Sequence, residues 1–211
     1  MPLQKIEKIT SERIIGYWKV TEPYELLFEQ CNLALEDGSY GLIRNEKKLL
    51  EWVCTRLLAE AMLGEFNTEY QGIYKDPWGK PHLNQLDIGI SVTHTFPLVI
   101  VMMDKNSPVG IDVEPPTPKI GRIAPKFLHE KEQFAQNDLM FQTILWAAKE
   151  ALFKYHGRKS LSFRQQILID PFHLSEEGTI YGRIIEGDMI EEHCLTYRFI
   201  YEKQYVLVYT S

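Results

Sequence analysis

The residues best suited to chemistry in this sequence begin with two acidic side chains. Asp112 and Glu114 belong to the segment GIDVE at 110–114. In a β-strand, residues i and i+2 point to the same face about 6–7 Å apart, so these carboxylates would lie side by side while Ile111 and Val113 face the core. Carboxylates this close repel each other unless a cation or a proton intervenes. Mg²⁺ binds a few carboxylates together with phosphate oxygens, so the pattern is half of a candidate site for a metal–phosphate complex.

A second charged pair lies in the segment 139–156, whose apolar spacing predicts a helix. Glu150 and Lys154 are four residues apart, so they share one face of that helix. That face lies well away from the apolar stripe, which consists of Phe141, Leu145, Ala148 and Leu152. Taken alone, the pair would be an ordinary ion pair worth a few tenths of a kcal/mol, roughly 0.3.

Two further segments place polar residues at turns and strand ends. Lys80 lies in DPWGKPHL (76–83), where Gly79 and Pro81 predict a tight turn. His94 lies between two hydroxyl residues at the end of ISVTHT (90–95). Taken alone, the first is an ordinary surface turn and the second an ordinary structural histidine.

The elements that would position these residues occur in a repeated order of strand, long helix and further strands. Helices and mostly antiparallel strands come in separate runs, which indicates an α+β fold. The Pro-rich segment PPTPKI (115–120) marks the joint, and we predict one half at 1–104 and another at 105–211. The predicted strands are 13–20, 87–92, 97–103, 109–114 and several within 167–210; the predicted helices are 44–64, 139–156 and one or two short ones within 119–136.

Composition excludes several classes of protein. A hydrophobic fraction of 45% supports a real core, and a net charge of -6 argues against a dedicated nucleic-acid binder. The cysteines, Cys31, Cys54 and Cys194, have no metal-ligand spacing and are expected to be free thiols. Charged residues interrupt every apolar run at the N-terminus, and no run is long enough to span a bilayer. We therefore expect a soluble cytoplasmic protein with no membrane association.

Taken together, WGKPHL, ISVTHT, GIDVE and LWAAKEALFKYHGRKSLS resemble, in this order, the motifs of 4'-phosphopantetheinyl transferases. The resemblance is to the larger, pseudo-dimeric type typified by the surfactin-synthetase activator, and covers roughly residues 44–165. The family's SHS motif is THT here, which keeps the hydroxyl groups. The resemblance implies a monomer whose two similar halves, each a long helix on a mostly antiparallel sheet, form an intramolecular pseudo-dimer with the active site in the cleft between them.

The resemblance also implies roles for individual residues. Asp112, Glu114 and Glu150 would bind Mg²⁺, and Lys154 would meet the phosphates and assist the leaving group. Lys80, Thr93 and His94 would contact coenzyme A. Arg56 would bind a phosphate, joined by Arg44, Lys47 or Lys48. Glu132, with Glu130 as a near competitor, matches a further family glutamate, and the general base is left open among Glu150, Glu132 and a metal-bound water.

The expected activity is transfer of 4'-phosphopantetheine from coenzyme A to a serine of an apo acyl or peptidyl carrier protein, with release of 3',5'-ADP. A metal-dependent phosphodiesterase or nuclease is an alternative that would use the same carboxylates. A second alternative is a non-catalytic coenzyme A-binding or carrier-binding module, which would predict an incomplete set of carboxylates. The sequence does not choose among fatty-acid, polyketide and nonribosomal-peptide carriers.

Overall fold

The computed structural model describes residues 3–36, 38–157 and 161–211. The chain divides into two compact units, Met1–Val109 and Gly110–Ser211. Each unit combines helices with antiparallel sheet, so the predicted α+β class is confirmed. Asp37, in a predicted turn, and residues 158–160, in the predicted GRKSLS motif, lie outside the described residues.

The first unit is built on an antiparallel sheet with the strand order β1-β2-β6-β5. Strands β3 and β4 form a separate hairpin. The elements in chain order are β1 (Leu3–Lys8), β2 (Arg13–Lys19), α1 (Tyr24–Gln30), α2 (Glu46–Glu65), β3 (Ile73–Lys75), β4 (Pro81–Leu83), β5 (Gly89–Thr95) and β6 (Leu98–Asp104), with 3₁₀ turns at Leu33–Leu35 and Ser39–Leu42.

The long helix α2 packs directly on β2. Gly16 makes this close approach possible, because an added Cβ would lie 2.5 Å from Met62 Sδ. The helix begins after Asn45, whose side chain accepts a hydrogen bond from the Lys48 backbone, and it runs to Glu65. The predicted helix 44–64 is therefore confirmed, although it begins two residues later, at Glu46, and ends one residue later, at Glu65.

The second unit is built on an antiparallel sheet with the strand order β7-β11-β10-β9-β8. The predicted short helices within 119–136 are confirmed as α3 and a 3₁₀ helix. The elements in chain order are β7 (Ile111–Glu114), α3 (Pro118–Phe127), the 3₁₀ helix Glu130–Ala135, α4 (Leu139–His156), β8 (Ile167–Ile169), β9 (Glu177–Glu186), β10 (Met189–Ile200) and β11 (Tyr205–Thr210).

Helix α4 has the bounds that its sequence predicts. Asp138 caps its first turn by accepting hydrogen bonds from the backbone of Met140 and Phe141. Gly157 ends it at φ 79°, a left-handed conformation that favours glycine. The apolar stripe of α4 packs into the core with Leu195, Val206 and Val208 of the sheet.

Two expectations about the whole chain concern cysteines and membranes. All three cysteines are free; Cys31 and Cys54 are buried, and Cys194 is only partly buried. Over the three described ranges, every helix is too short or too polar to cross a membrane.

Candidate active site

Strand β7 and helix α4 bring the predicted acidic residues together with Lys154. The Lys154 ammonium donates a 2.7 Å hydrogen bond to Asp112 Oδ1 and a 3.0 Å bond to the Ile111 carbonyl. At the other end of β7, Trp146 Nε1 donates a 3.0 Å hydrogen bond to Glu114 Oε1. Two contacts, eight residues apart on α4, therefore fix the acidic strand against one face of the helix.

Glu150 occupies the middle of that face of α4. Trp146, Glu150 and Lys154 follow one another at intervals of four residues, so they line the same side of the helix. The sequence alone suggested an ion pair between Glu150 and Lys154. In the structure Lys154 bonds instead to Asp112, which is distant in sequence.

Gly110 explains why β7 lies so close to α4. An added Cβ at this position would collide with the carbonyl oxygen of Ala151 in α4. Because glycine has no side chain, the start of β7 can touch the helix backbone. The glycine of GIDVE is therefore part of the architecture that joins Asp112 to Lys154.

The carboxylates of this face influence each other's protonation. Burial raises the pKa of Glu150 to about 7, and the negative charges of Asp112 and Glu114 act in the same direction, while Lys154 opposes them. Burial and the charge of Asp112 also raise the pKa of Glu114, although the hydrogen bond from Trp146 opposes this. The ionised forms of Glu114 and Glu150 are therefore less favourable here than in water.

The donor set of this face fits a divalent cation. Asp112, Glu114 and Glu150 supply carboxylate oxygens, the ligand type that Mg²⁺ prefers. Within the described ranges, however, no group of three or more His, Cys, Asp or Glu side chains is gathered into a ready-made metal site. Asp112 and Glu114 each have a separate hydrogen-bond donor on α4, Lys154 for Asp112 and Trp146 for Glu114.

Glu132, predicted as a candidate general base, has an environment that does not suit proton transfer. Its side chain is completely buried and bonds to Lys149 Nζ at 2.7 Å. Its oxygens also accept 2.8 Å hydrogen bonds from the backbone of His129 and Ile169. We therefore assign Glu132 to the internal structure of this unit, whereas its predicted competitor Glu130 is exposed on the same 3₁₀ helix.

The first unit brings two of the predicted coenzyme A contacts into one neighbourhood. His94 Nδ1 lies 3.3 Å from Glu51 Oε2 on α2, and its side chain is 49% exposed. Lys47 Nζ lies 5.1 Å from the ring centre of Phe96, just beyond His94 in the chain. Thr93 is buried, and its side chain points to the face of β5 opposite to that of His94.

Lys80 lies on the tight turn that its neighbours predict. Asp76 Oδ1 accepts 2.9 Å hydrogen bonds from the backbone of both Trp78 and Lys80, and Gly79 has φ 91°. Burial lowers the pKa of Lys80, while Asp76 opposes that effect. The turn fixes the backbone of Lys80 and leaves Trp78 half-exposed beside it.

Arg56, predicted to bind a phosphate, is engaged inside the first unit. Its Nε donates a 3.1 Å hydrogen bond to Glu36, and its guanidinium lies 3.9 Å from the ring centre of Trp52. The side chain is 8% exposed, and that of Glu36 is fully buried. Arg56 therefore serves as an internal counterion, which leaves the exposed Arg44, Lys47 and Lys48 as the phosphate candidates.

Replacing Arg56 with methionine should therefore affect stability. Loss of the arginine leaves the buried Glu36 without its cationic partner, although the Tyr70 hydroxyl still donates to it. We expect this loss to cost about 3 kcal/mol and about 10 °C in Tm, as measured by thermal unfolding. The exposed Arg44→Met is the matched control and should change Tm little. If Arg56→Met left Tm unchanged and greatly raised the KM for coenzyme A, Arg56 would be a phosphate-binding residue as the sequence predicts.

One residue with a clear structural role was missed by sequence reasoning. Lys149 precedes Glu150 in the motif LWAAKEALFK and received no role, although its side chain is completely buried. A lysine facing the apolar interior side of a helix is unusual, and that mismatch with the helical pattern was the available signal.

An acidic strand fixed against a helix that carries a glutamate and a lysine makes this face a candidate site for metal and phosphate chemistry, of the kind that phosphoryl transferases use. Residues 108–209 match the model of the 4'-phosphopantetheinyl transferase superfamily. The match supports a transferase and, in general terms, phosphopantetheine transfer. A comparison with curated proteins gave no match.

Proposed function

We propose that this protein transfers the 4'-phosphopantetheine group of coenzyme A to a serine of an apo acyl or peptidyl carrier protein, with Mg²⁺, and releases 3',5'-ADP. The observation that carries the proposal is the β7–α4 face, where Lys154 bonds to Asp112 and the charges of Asp112 and Glu114 act on Glu150, inside the region that matches the superfamily. Exposed Lys47 and His94 and the partly exposed Lys80, all basic, suit a polyanionic substrate such as coenzyme A.

The reaction forms a bond between the serine oxygen and the β-phosphorus of coenzyme A and breaks the bond to the α-phosphate. Glu150 would accept the serine proton, because a carboxylate positioned beside the reacting groups can act as a general base. Lys154 would stabilise the phosphate that leaves with 3',5'-ADP. Asp112 and Glu114, with Glu150, would hold the Mg²⁺, which supplies charge neutralisation of the diphosphate when bound.

The direct test combines the protein, coenzyme A and Mg²⁺ with a panel of apo-carriers and measures carrier mass. We expect a gain of one phosphopantetheine group on at least one carrier and none on its Ser→Ala variant. Cleavage of coenzyme A without a carrier would favour the phosphodiesterase, and binding without any product would favour the non-catalytic module. Either result would overturn the proposed transfer.

The carrier itself is proposed to dock on the basic face of α3. Ile120 and Phe127 face the core of the second unit, so they do not belong to a docking surface. Lys119, Arg122 and Lys126 are exposed on the same helix. Because such carriers are usually acidic and this chain has a net charge of -6, attraction requires a local basic surface of this kind.

Reversing two of these charges should weaken carrier binding selectively. In Arg122→Glu/Lys126→Glu, we expect the KM for carrier to rise about tenfold while the KM for coenzyme A stays constant. The difference in carrier KM between this variant and wild type should become smaller as the salt concentration rises above about 0.1 M. Lys5→Glu/Lys8→Glu, on β1, changes the net charge equally and is the control. An unchanged carrier KM in the α3 variant would show that docking occurs elsewhere.

A further inference from the structure

Lys149 is the centre of a buried polar junction in the second unit. Its ammonium donates to the backbone carbonyls of Phe127 at 2.9 Å, Phe163 at 2.9 Å and Ile167 at 2.7 Å. It also lies 2.7 Å from Glu132 Oε2. The side chain of Lys149 is fully buried, so every one of its protons is directed at protein acceptors.

Glu132 completes the junction from the opposite side. Its Oε1 accepts a hydrogen bond from the Ile169 backbone, and its Oε2 accepts one from the His129 backbone as well as from Lys149. Hydrogen bonds to an ionised group are shorter and stronger than neutral ones, particularly away from water. The two buried charges therefore join backbone groups of segments that are not hydrogen-bonded to each other as neighbouring strands or within one helix.

The junction joins several segments of the second unit. Phe127 is the last residue of α3, Glu132 lies in the 3₁₀ helix, Lys149 lies in α4, and Ile167 and Ile169 belong to β8. A cleft of about 400 Å³ opens beside the junction, lined by residues of α3, of the 3₁₀ helix, of the start of α4 and by Arg164. Glu132 is itself one of the residues that line this cleft, and the carbonyl of Phe127 that Lys149 bonds belongs to the helix that carries the basic face.

We infer that Glu132 and Lys149 are positioning residues for carrier binding: they hold α3 and the 3₁₀ helix against α4 and β8, and neither takes part in proton transfer. The inference rests on the proposed transferase function for its carrier, but the junction can be tested without it. The pair acts through the surface that it supports, because neither side chain reaches solvent.

The first experiment measures the junction itself by hydrogen exchange of the purified protein. In Glu132→Gln, the backbone amides of His129 and Ile169 lose their charged acceptor, and we expect them to exchange at least about tenfold faster. Glu130→Gln, an exposed glutamate on the same 3₁₀ helix, is the matched control and should leave both amides unchanged. Unchanged exchange in Glu132→Gln would overturn the positioning role.

A series of variants that remove one or both charges distinguishes loss of the ion pair from general misfolding. Lys149→Met leaves the buried Glu132 unpaired, so its Tm should fall well below that of the exposed control Lys131→Met. The double variant Glu132→Gln/Lys149→Met removes both charges, and we expect it to recover part of the lost Tm. If the loss of Tm in the double variant equals the sum of the losses in the two single variants, the two residues do not act as a pair.

Steady-state kinetics then separate positioning from catalysis. For Glu132→Gln we expect the KM for carrier to rise about tenfold, with kcat within about threefold of wild type and the KM for coenzyme A unchanged. A general base would instead give a fall in kcat of about a hundredfold or more at constant KM, which would overturn the inference. If the wild-type protein modifies no carrier, the proposed function fails and the carrier role fails with it, while the exchange data still decide whether the pair fixes the segment.

Discussion

Replacing Glu150 with glutamine should lower the rate of phosphopantetheine transfer by about a thousandfold or more, a loss of about 4 kcal/mol of transition-state stabilisation. Glu150 lies in the middle of the α4 face that carries Trp146 and Lys154, opposite the acidic strand. Glutamine keeps the size of the side chain but can neither accept the serine proton nor supply a charged ligand to Mg²⁺. The measurement is carrier mass against time at saturating coenzyme A and Mg²⁺.

The stability of Glu150→Gln should not fall, and this separates loss of function from loss of fold. Burial and the neighbouring carboxylates raise the pKa of Glu150 to about 7, so its ionised form opposes folding above that pH. A neutral glutamine removes this penalty, and Tm at about pH 8 should equal or exceed that of wild type. Wild-type turnover in this variant would end the proposed role of Glu150 in both metal binding and proton transfer.

Asp112→Asn should give a contrasting result, because Asp112 is 5% exposed and bonded to Lys154. Its replacement should therefore abolish transfer and also lower Tm, since the Lys154 ammonium loses its charged acceptor. Equal Tm values for Asp112→Asn and wild type would contradict this assignment of the ion pair.

The sequence predicted most reliably the features that depend on local periodicity. The bounds of α4 follow from its apolar spacing, from the capping side chain of Asp138 and from Gly157. The alternation of GIDVE places Ile111 and Val113 in the core, as observed. Strand β1, a short element without a strong period, was missed.

Partners that are distant in the chain could not be predicted in the same way. Helical spacing pairs Glu150 with Lys154, but it carries no information about Asp112, which lies 42 residues before Lys154 and receives its hydrogen bond. Likewise, nothing in the local pattern around Glu132 indicates that Lys149 neutralises it in the core. For such residues the sequence identifies the side chain, but tertiary packing determines whether that side chain is buried and which counterion it meets.

The same argument separates exposed from internal basic residues in the first unit. Arg56 and Lys47 lie on one helix at a spacing that gives no sign of which is buried. The structure pairs Arg56 with Glu36 and leaves Lys47 exposed. A resemblance to a family motif transfers residue types correctly, but it transfers roles only where the environment also matches.

Divalent cations should stabilise this protein more at about pH 8 than at about pH 6, and the pKa of Glu150 gives the sign. That pKa is raised from 4.5 in the unfolded chain to about 7 in the folded protein. Between these values the folded state binds more protons than the unfolded state, so this group makes stability fall as pH rises from about 4.5 to 7. Above pH 7, Glu150 is ionised beside Asp112 and Glu114, and a bound cation relieves the repulsion.

At about pH 6, by contrast, protons compete with the cation for Glu150, because a carboxylate must be deprotonated to act as a metal ligand. The experiment compares Tm with and without Mg²⁺ or Mn²⁺ at the two pH values, with NaCl added to match ionic strength. We expect the gain in Tm from the cation to be larger at pH 8 in wild type. Glu150→Gln should show a smaller gain that no longer depends on pH in this range, since its side chain does not titrate. Equal gains in wild type at both pH values, or none at either, would show that these three carboxylates do not form the metal site.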